Sequence, residues 1–287
     1  VANPELLLPE VLAPMVRNTI FSGNIHHCVQ ADSTNSIALR GAALASQHPD
    51  DTPEGAVFLA EEQTAGRGRS AHSWHSERGT GIYASFLLRP PMIPSEALWL
   101  SLVAGVALQD AVRETTGLQP DIRWPNDLIL NEKKFAGILT EMSSEGSKVH
   151  HAVIGIGVNV NHQNFPAELR DTATSLRLEA GREFSRIEVA AALIRALDRE
   201  YRALLRAMSS PIRTPALRFE PIMRRVESRS SYALGKQVHV DEDGGYDGVT
   251  DGLDPRGFLR VRTDRGLRMV ISGSVRPLSR SLDASGA

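Results

Sequence analysis

Thirteen residues, "TAGRGRSAHSWHS" from Thr64 to Ser76, carry two glycines, two arginines, two histidines and a tryptophan with almost no aliphatic side chain to anchor them. Gly66 and Gly68 remove the Cβ where a backbone must bend or lie against a ligand. Arg67 and Arg69, two apart in an extended segment, can project toward a common charge. A guanidinium suits phosphate or carboxylate because its planar fork donates two charge-assisted hydrogen bonds and never loses its charge. Trp74 can stack on a purine or close over an apolar ligand. A solvated arginine turn beside a core tryptophan fits the same residues, and the stretch alone does not choose between the two.

A second constellation lies in "RWPNDLILNEKKFAGILTEM". Asn126 and Asp127 interrupt an apolar strand with side chains able to orient amides, ribose hydroxyls or a metal ion. Lys134 opens the return strand close to them, so a cation and a carboxylate converge. Gly137 permits close approach of a ligand, and Asn159 ends a neighbouring strand. Taken singly, Asp127 can cap a turn and Lys134 can be solvated.

Other chemistries find less support. Gly155 to Gly157 lacks the third glycine and the following helix of a dinucleotide fingerprint, and there is no GxxxxGK[ST] or GxSxG motif. His26 to Cys28 is read as a core strand with a surface histidine, because neighbouring strand residues face opposite ways and no second Cys/His cluster has zinc-like spacing. His150 and His151 are read in the same way.

The elements that must position these residues follow from hydrophobic period and breakers. Residues 1–23 form a tail or short leading helix. "NIHHCVQA" is a strand, and Asp32, Ser33 and Thr34 start the helix "NSIALRGAALASQ". "GAVFLAEE" and "GIYASFLLR" are strands joined by the arginine loop. "SEALWLSLVAGVALQDAVRETTG" is a long helix whose apolar face covers a sheet. "PDIRWPNDLIL" reads as one strand with a break at Pro125, paired through "NEKK" with "KFAGILTEMS" as a hairpin. "HHAVIGIGVNVN" is a further strand, and residues 186–208 and "TPALRFEPIMRRVES" are helices. After Tyr232, short alternating runs between glycine-rich turns predict a small all-β barrel.

Composition bounds the answer. The 287 residues suit one large domain plus a small one. A net charge of −2 and a pI near 6.5 exclude a surface built throughout to hold nucleic acid, so any basic site is local. Cys28, the only cysteine, allows no internal disulfide and points to a reducing cytoplasm. No uninterrupted apolar run approaches about 18 residues, so no membrane span is expected.

Together the motifs resemble the biotin protein ligases. "DSTN" (Asp32–Asn35), "EEQTAGRGR" (Glu61–Arg69) with Trp74, "RWPNDLIL" and "KFAGILTE" (within Arg123–Glu141), "GIGVNVN" (Gly155–Asn161) and "DTATSL" (Asp171–Leu176) stand in family-like order. The resemblance implies an α+β fold: a mixed β-sheet flanked by helices, related to class II aminoacyl-tRNA synthetases, over residues 24–230. A C-terminal SH3-like barrel would span 231–282 and a tail 283–287. It implies activation of biotin with MgATP to biotinyl-5′-AMP, then transfer to a lysine of a biotin carboxyl carrier protein. By the same resemblance Arg69 and Lys134 are catalytic. Ser33, Thr34, Asn35, Gln63, Gly66, Arg67, Arg69, Lys134, Gly137, Leu139, Gly155 and Gly157 would hold biotin. Arg67, Arg69, Trp74, Asn126, Asp127, Lys134 and Asn159 would face ATP or the adenylate, with Mg²⁺ near Asp127. Asp127 is also a candidate base for the transfer step.

The chain departs from the family pattern in places. Ser70 and Ala71 stand where Arg-Gly is common. Ser274 takes an acidic position and Leu278 an arginine position in the barrel ending, which Arg276 would have to replace. No operator-binding domain, nucleic-acid partner or membrane partner is expected, and the protein is expected to be a monomer or homodimer. A lipoate ligase and a non-enzymatic biotin or nucleotide sensor are the alternatives.

Overall fold

The computed structural model describes residues 5–45, 52–212 and 214–278. The far end of the first helix reading, residues 46–47, and the end of the barrel and the tail, residues 279–287, lie outside them. In chain order, α1 (Pro9–Met15), β1 (Ile25–Cys28), α2 (Thr34–Ala45), β2 (Val57–Ala60) and β3 (Gly81–Leu88) precede the long helix α3 (Leu98–Thr116). Then come β4 (Asp121–Arg123), β5 (Asp127–Leu130), β6 (Lys133–Glu145) and β7 (Lys148–Asn159). Helices α4 (Leu176–Ala180), α5 (Arg186–Met208) and α6 (Pro215–Glu227) follow. The chain finishes with β8 (Leu234–Asp241), β9 (Tyr246–Leu253), β10 (Leu259–Thr263), β11 (Gly266–Val270) and β12 (Ser274–Pro277).

The seven-stranded sheet runs β1-β2-β3-β7-β6-β5-β4 and is mixed, because β1 and β2 are parallel and the remaining pairs antiparallel. One face is apolar in alternate residues, among them Ile82, Ala84, Phe86, Ile138, Ile154, Ile156 and Val158, and these join the core formed with α3 and α5. Residues 94–116 are long enough to cross a membrane and hold an 18-residue window of mean hydropathy 1.2, yet 78% of that window is buried inside the fold. Its apolarity is that of a core helix lying against both the sheet and α5. On the opposite face Ala38 and Ala42 of α2 meet Phe58, Leu87 and Val153. Farther along that face Asn35 and the Trp74 ring lie against its glycines.

The run expected as one strand broken at Pro125 is two antiparallel strands, β4 and β5, with Arg123 opposite Asp127. Pro125 has no N–H to continue a ladder, so the break reverses the chain. The leading segment is anchored: Leu7, Leu12, Val16 and Phe21 are buried, and the Leu7 N–H donates to Glu61 Oε1 at 2.8 Å.

The C-terminal strands form an antiparallel sheet in the order β11-β10-β9-β8-β12, with Val238, Val240, Leu259, Val261 and Val275 inside. It docks through two indoles: Trp99 Nε1 donates to Pro255 O at 3.2 Å and Trp124 Nε1 to Gly257 O at 3.0 Å.

Candidate active site

Register builds the floor of the site. Ser85, Gly155 and Leu139 are neighbours across β3, β7 and β6, and Tyr83, Gly157 and Gly137 form the next row on the same face. A Cβ on Gly155 would lie 2.2 Å from Asn35 Oδ1, and one on Gly157 would lie 2.5 Å from the Trp74 ring. These glycines are not turn residues. They remove side chains from the floor so that groups above can approach the backbone.

One end of the resulting cleft is polar and neutral. The Thr34 N–H and hydroxyl donate to Gln63 Oε1 at 2.9 and 3.2 Å, and Gln63 Nε2 donates to Ser76 Oγ at 3.1 Å. Ser85 Oγ lies 2.8 Å from Thr34 Oγ1, and Asn35 Nδ2 donates to Glu141 Oε2 at 2.8 Å and to Leu139 O at 3.3 Å. Ser33, Thr34 and Asn35 are buried at the start of α2. This is a preset array of donors and acceptors with fixed orientation, suited to a small polar ring.

The other end is charged. Lys134 Nζ sits 2.5 Å from Asp127 Oδ1 and 5.4 Å from the centre of the Trp74 ring, while Arg123 Nη2 holds the other Asp127 oxygen at 2.7 Å. Burial pushes the Asp127 carboxyl up, but Lys134 and then Arg123 overcome it and hold the group below the ordinary carboxylate value. Asp127 is therefore a poor base. With both oxygens taken by cations it also does not fit the Mg²⁺ expected near it. The amide of Asn126 donates to Ile138 O at 2.8 Å and its Oδ1 accepts from Arg69 Nη1 at 3.2 Å. Desolvation lowers the Arg69 pKa, opposed by the Asp127 charge. The "DTATSL" segment pairs with β6 at Lys134, whose N–H donates to Thr172 O at 2.8 Å. That ladder sets where the lysine side chain begins.

The arginine loop folds as a small hairpin. Gly68 N donates to His72 O at 2.7 Å, Trp74 N donates to Gly66 O at 2.8 Å, and Ser70, at the departure noted above, adopts a left-handed φ of 52°. Arg67 and Arg69 do not converge as expected from an extended segment. Arg67 Nη2 turns to Glu141 Oε2 at 2.8 Å, and Arg69 Nη2 reaches Ser272 O at 3.0 Å. The two arginines bracket the cleft, because the turn at Arg69–Ala71 abolishes the two-residue period that would have aligned them. The C-terminal sheet thus reaches the site through a backbone carbonyl, while Arg276 is exposed on β12.

Ser33, Thr34, Asn35, Gln63, Arg67, Arg69, Trp74, Asn126, Lys134, Gly137, Leu139, Gly155 and Gly157 all line one cavity, with a free volume of about 40 Å³. Gly66, Asp127 and Asn159 do not line it. Gly66 lies beneath Trp74, where a Cβ would meet Trp74 O at 2.6 Å. Asn159 is buried and donates to Thr174 O at 3.1 Å, bracing the segment that pairs with Lys134. Tyr83, Gly68, Ile138 and Ile156 also line the cavity. Tyr83 and Ser85 went unread because every residue of β3 is buried, which hides the alternation that would have put them on the ligand face.

Of the histidines on β1, His26 stacks on Phe58 at 4.9 Å, and His27 Nε2 lies 3.0 Å from Glu61 Oε1.

Residues 28–159 match the biotin/lipoate A/B protein ligase family, and residues 233–276 match the biotin protein ligase C-terminal domain. The bifunctional ligase/repressor BirA of Bacillus subtilis is 36% identical over 254 residues, 87% of this chain and 73% of that protein. The biotin–[acetyl-CoA-carboxylase] ligase of Mycobacterium tuberculosis is 32% identical over 248 residues, 84% of each chain. Among solved structures, the biotin protein ligase of Aquifex aeolicus in complex with biotin and ATP superimposes with a TM-score of 0.72 at 29% identity, covering 89% of this chain and 99% of that one. With the two-ended cleft standing on the expected motifs, the family match and the 36% and 32% identities over most of each chain place this chain in the biotin protein ligase family.

Proposed function

We propose that this enzyme condenses biotin with ATP to give biotinyl-5′-AMP and pyrophosphate, and passes the biotinyl group to a lysine of a biotin carboxyl carrier protein. The observation that carries the reading is the two-ended cleft. The Thr34, Gln63, Ser85 and Asn35 network suits the ureido ring, the glycine floor suits the thioether ring and chain, and Lys134 and Arg69 stand where carboxylate and α-phosphate would meet. In the first step the biotin carboxylate attacks the α-phosphorus and pyrophosphate leaves. No base is needed, because a carboxylic acid with a pKa of about 4 to 5 is already ionised at neutral pH. The barrier is electrostatic, an anion attacking an anion, and fixed cations are what lower it. In the second step the lysine amine attacks the mixed anhydride and AMP departs. Mg²⁺ enters with ATP as its counter-ion. The acceptor is taken to be a carboxylase carrier domain in the cytoplasm, and the enzyme a monomer or homodimer.

Biotin-dependent exchange of pyrophosphate into ATP, run beside lipoate, tests the reading. Exchange with biotin and not with lipoate supports it; exchange with lipoate alone assigns a lipoate ligase, and binding without exchange assigns a sensor.

Two variants follow. Gly155→Ala places a methyl on Asn35, and overpacking of this kind costs about 1–3 kcal/mol. The clash exists without ligand, so the thermal midpoint should fall by a few degrees, and because Asn35 must shift out of the polar network biotin affinity should fall as well; unchanged affinity by calorimetry would remove Gly155 from the floor. Arg69→Ala removes a charge-assisted contact worth about 1.5–3 kcal/mol. Dissociation of biotinyl-AMP should quicken about 10- to 150-fold; a stopped-flow rate equal to that of the parent would show that Arg69 does not hold the intermediate.

A further inference from the structure

Behind Tyr83, away from the cleft, lies a cluster that the ligase chemistry does not use. Among the described residues, His75, Glu77 and His162 each present one ligand atom, and these atoms lie within 4.8 Å of one another. His162 is fully buried, stacks on Phe165 at 5.4 Å between ring centres and lies 5.9 Å from the His75 ring. Tyr83 Oη donates its proton to Glu77 O at 2.9 Å, so its 3.4 Å contact with His162 Nε2 requires the histidine to be the donor there. That tautomer leaves a lone pair on Nδ1. The Nδ1 atom is buried and has no hydrogen-bond partner in the protein, an unusual condition for a polar atom.

We propose that His75, Glu77 and His162 form a binding site for a divalent transition metal of the zinc class. Two imidazoles and one carboxylate are a zinc donor set that leaves a fourth position open, whereas Mg²⁺ prefers oxygen ligands and is not the ion selected. Ligands on zinc at bond lengths of about 2.0–2.2 Å sit closer together than 4.8 Å. The partly exposed His75 and the exposed Glu77 supply the adjustment, since His162 is fixed by its packing. The backbone already brings the two segments together, Asn161 N donating to Thr80 O at 2.7 Å.

The site would clamp the segment that carries Trp74 to the exit of β7. Trp74 covers Gly157, and Ser76 holds Gln63, so the metal would stiffen one wall of the biotin cleft without touching the reacting atoms. The inference stands on this cluster alone, and its test does not depend on biotin chemistry.

Titration of the untagged full chain with Co²⁺ reads the site by visible ligand-field absorption, with Zn²⁺ as competitor and Mg²⁺ as control. Absorption saturating at one equivalent, displaced by Zn²⁺ but not by Mg²⁺, is expected. His75→Ala and Glu77→Gln, both on the accessible segment, should each weaken Co²⁺ binding by more than the roughly 10- to 100-fold typical of losing an outer partner. Zn²⁺ should raise the thermal midpoint of the parent and not of the double variant, since a ligand stabilises only the state that binds it. Absence of saturable absorption in the parent, or identical titrations of parent and double variant, would overturn the proposal.

Discussion

Lys134→Ala lowers biotin-dependent pyrophosphate exchange by about 10²- to 10³-fold, the range for deleting one preorganised group that stabilises transition-state charge. Lys134 is the ammonium at the charged end of the cleft, aimed by Asp127 at 2.5 Å and seated under the Trp74 ring. Its backbone is fixed by the strand bridge to Ala173. Deleting it leaves Asp127 with Arg123, so the carboxylate is not stranded and the fold should survive. Urea denaturation of the variant checks that the loss is chemical. Lys134→Arg should recover little, because a planar fork does not replace a compact point charge between two anions. Exchange at the parental rate in the alanine variant would take Lys134 out of the activation step.

Arg186→Met should destabilise the protein by about 3–5 kcal/mol, the usual cost of leaving one partner of a buried pair uncompensated. Arg186 is 3% exposed and Glu61 fully buried. Arg186 Nη1 donates to Glu61 Oε2 at 2.7 Å and to Gly81 O at 3.0 Å, and its Nη2 donates to Glu5 O. Glu61 also accepts from Leu7 N and contacts His27. The pair therefore ties α5, β3 and the leading segment to the strand that feeds the arginine loop. Urea unfolding of Arg186→Met and of its double with Glu61→Gln should be non-additive, the double being the milder relative to the sum. Additive losses, or a single-variant loss below about 1 kcal/mol, would show the pair to be dispensable on the scale expected of such pairs.

The pH dependence has a definite sign. Burial raises the Glu61 carboxyl, but the Leu7 N–H and Arg186 outweigh it and leave the group below its ordinary value of 4.5. The unfolded chain then binds the proton more readily. The pair's stabilisation is present above 4.5 and is lost as pH falls through the lower folded value. Arg186→Met should lack this acid-linked loss.

The ligand-facing residues were legible to different degrees. Lys134, Asn126, Gly155 and Gly157 sit in short ordered motifs whose chemistry is local, and they occupy the expected cleft. Glu61 belongs to "EEQTAGRGR", yet its role is a buried anchor, and the arginine that neutralises it lies on α5, far along the chain. Glu141, which binds both Asn35 and Arg67, was visible only as the end of a motif. His162 carries no signal of its own, because what marks it is an unpaired nitrogen beside two residues from another loop.

Residue order alone determined the helix starts, the strands, the small β domain at the end and the ligase motifs, because period, breakers and motif spacing are properties of neighbouring positions; the mixed sheet flanked by helices followed only from the family resemblance that those motifs carry. Tertiary structure alone decided how the two arginines share the work. A hairpin turn sends Arg67 to Glu141 and Arg69 to Asn126 and Ser272. It also decided that Asp127 is spent holding Lys134 rather than a metal or a proton. Both outcomes depend on which charges strand pairing and domain docking bring within about 3 Å, where electrostatics acts most strongly, and sequence distance carries no record of that proximity.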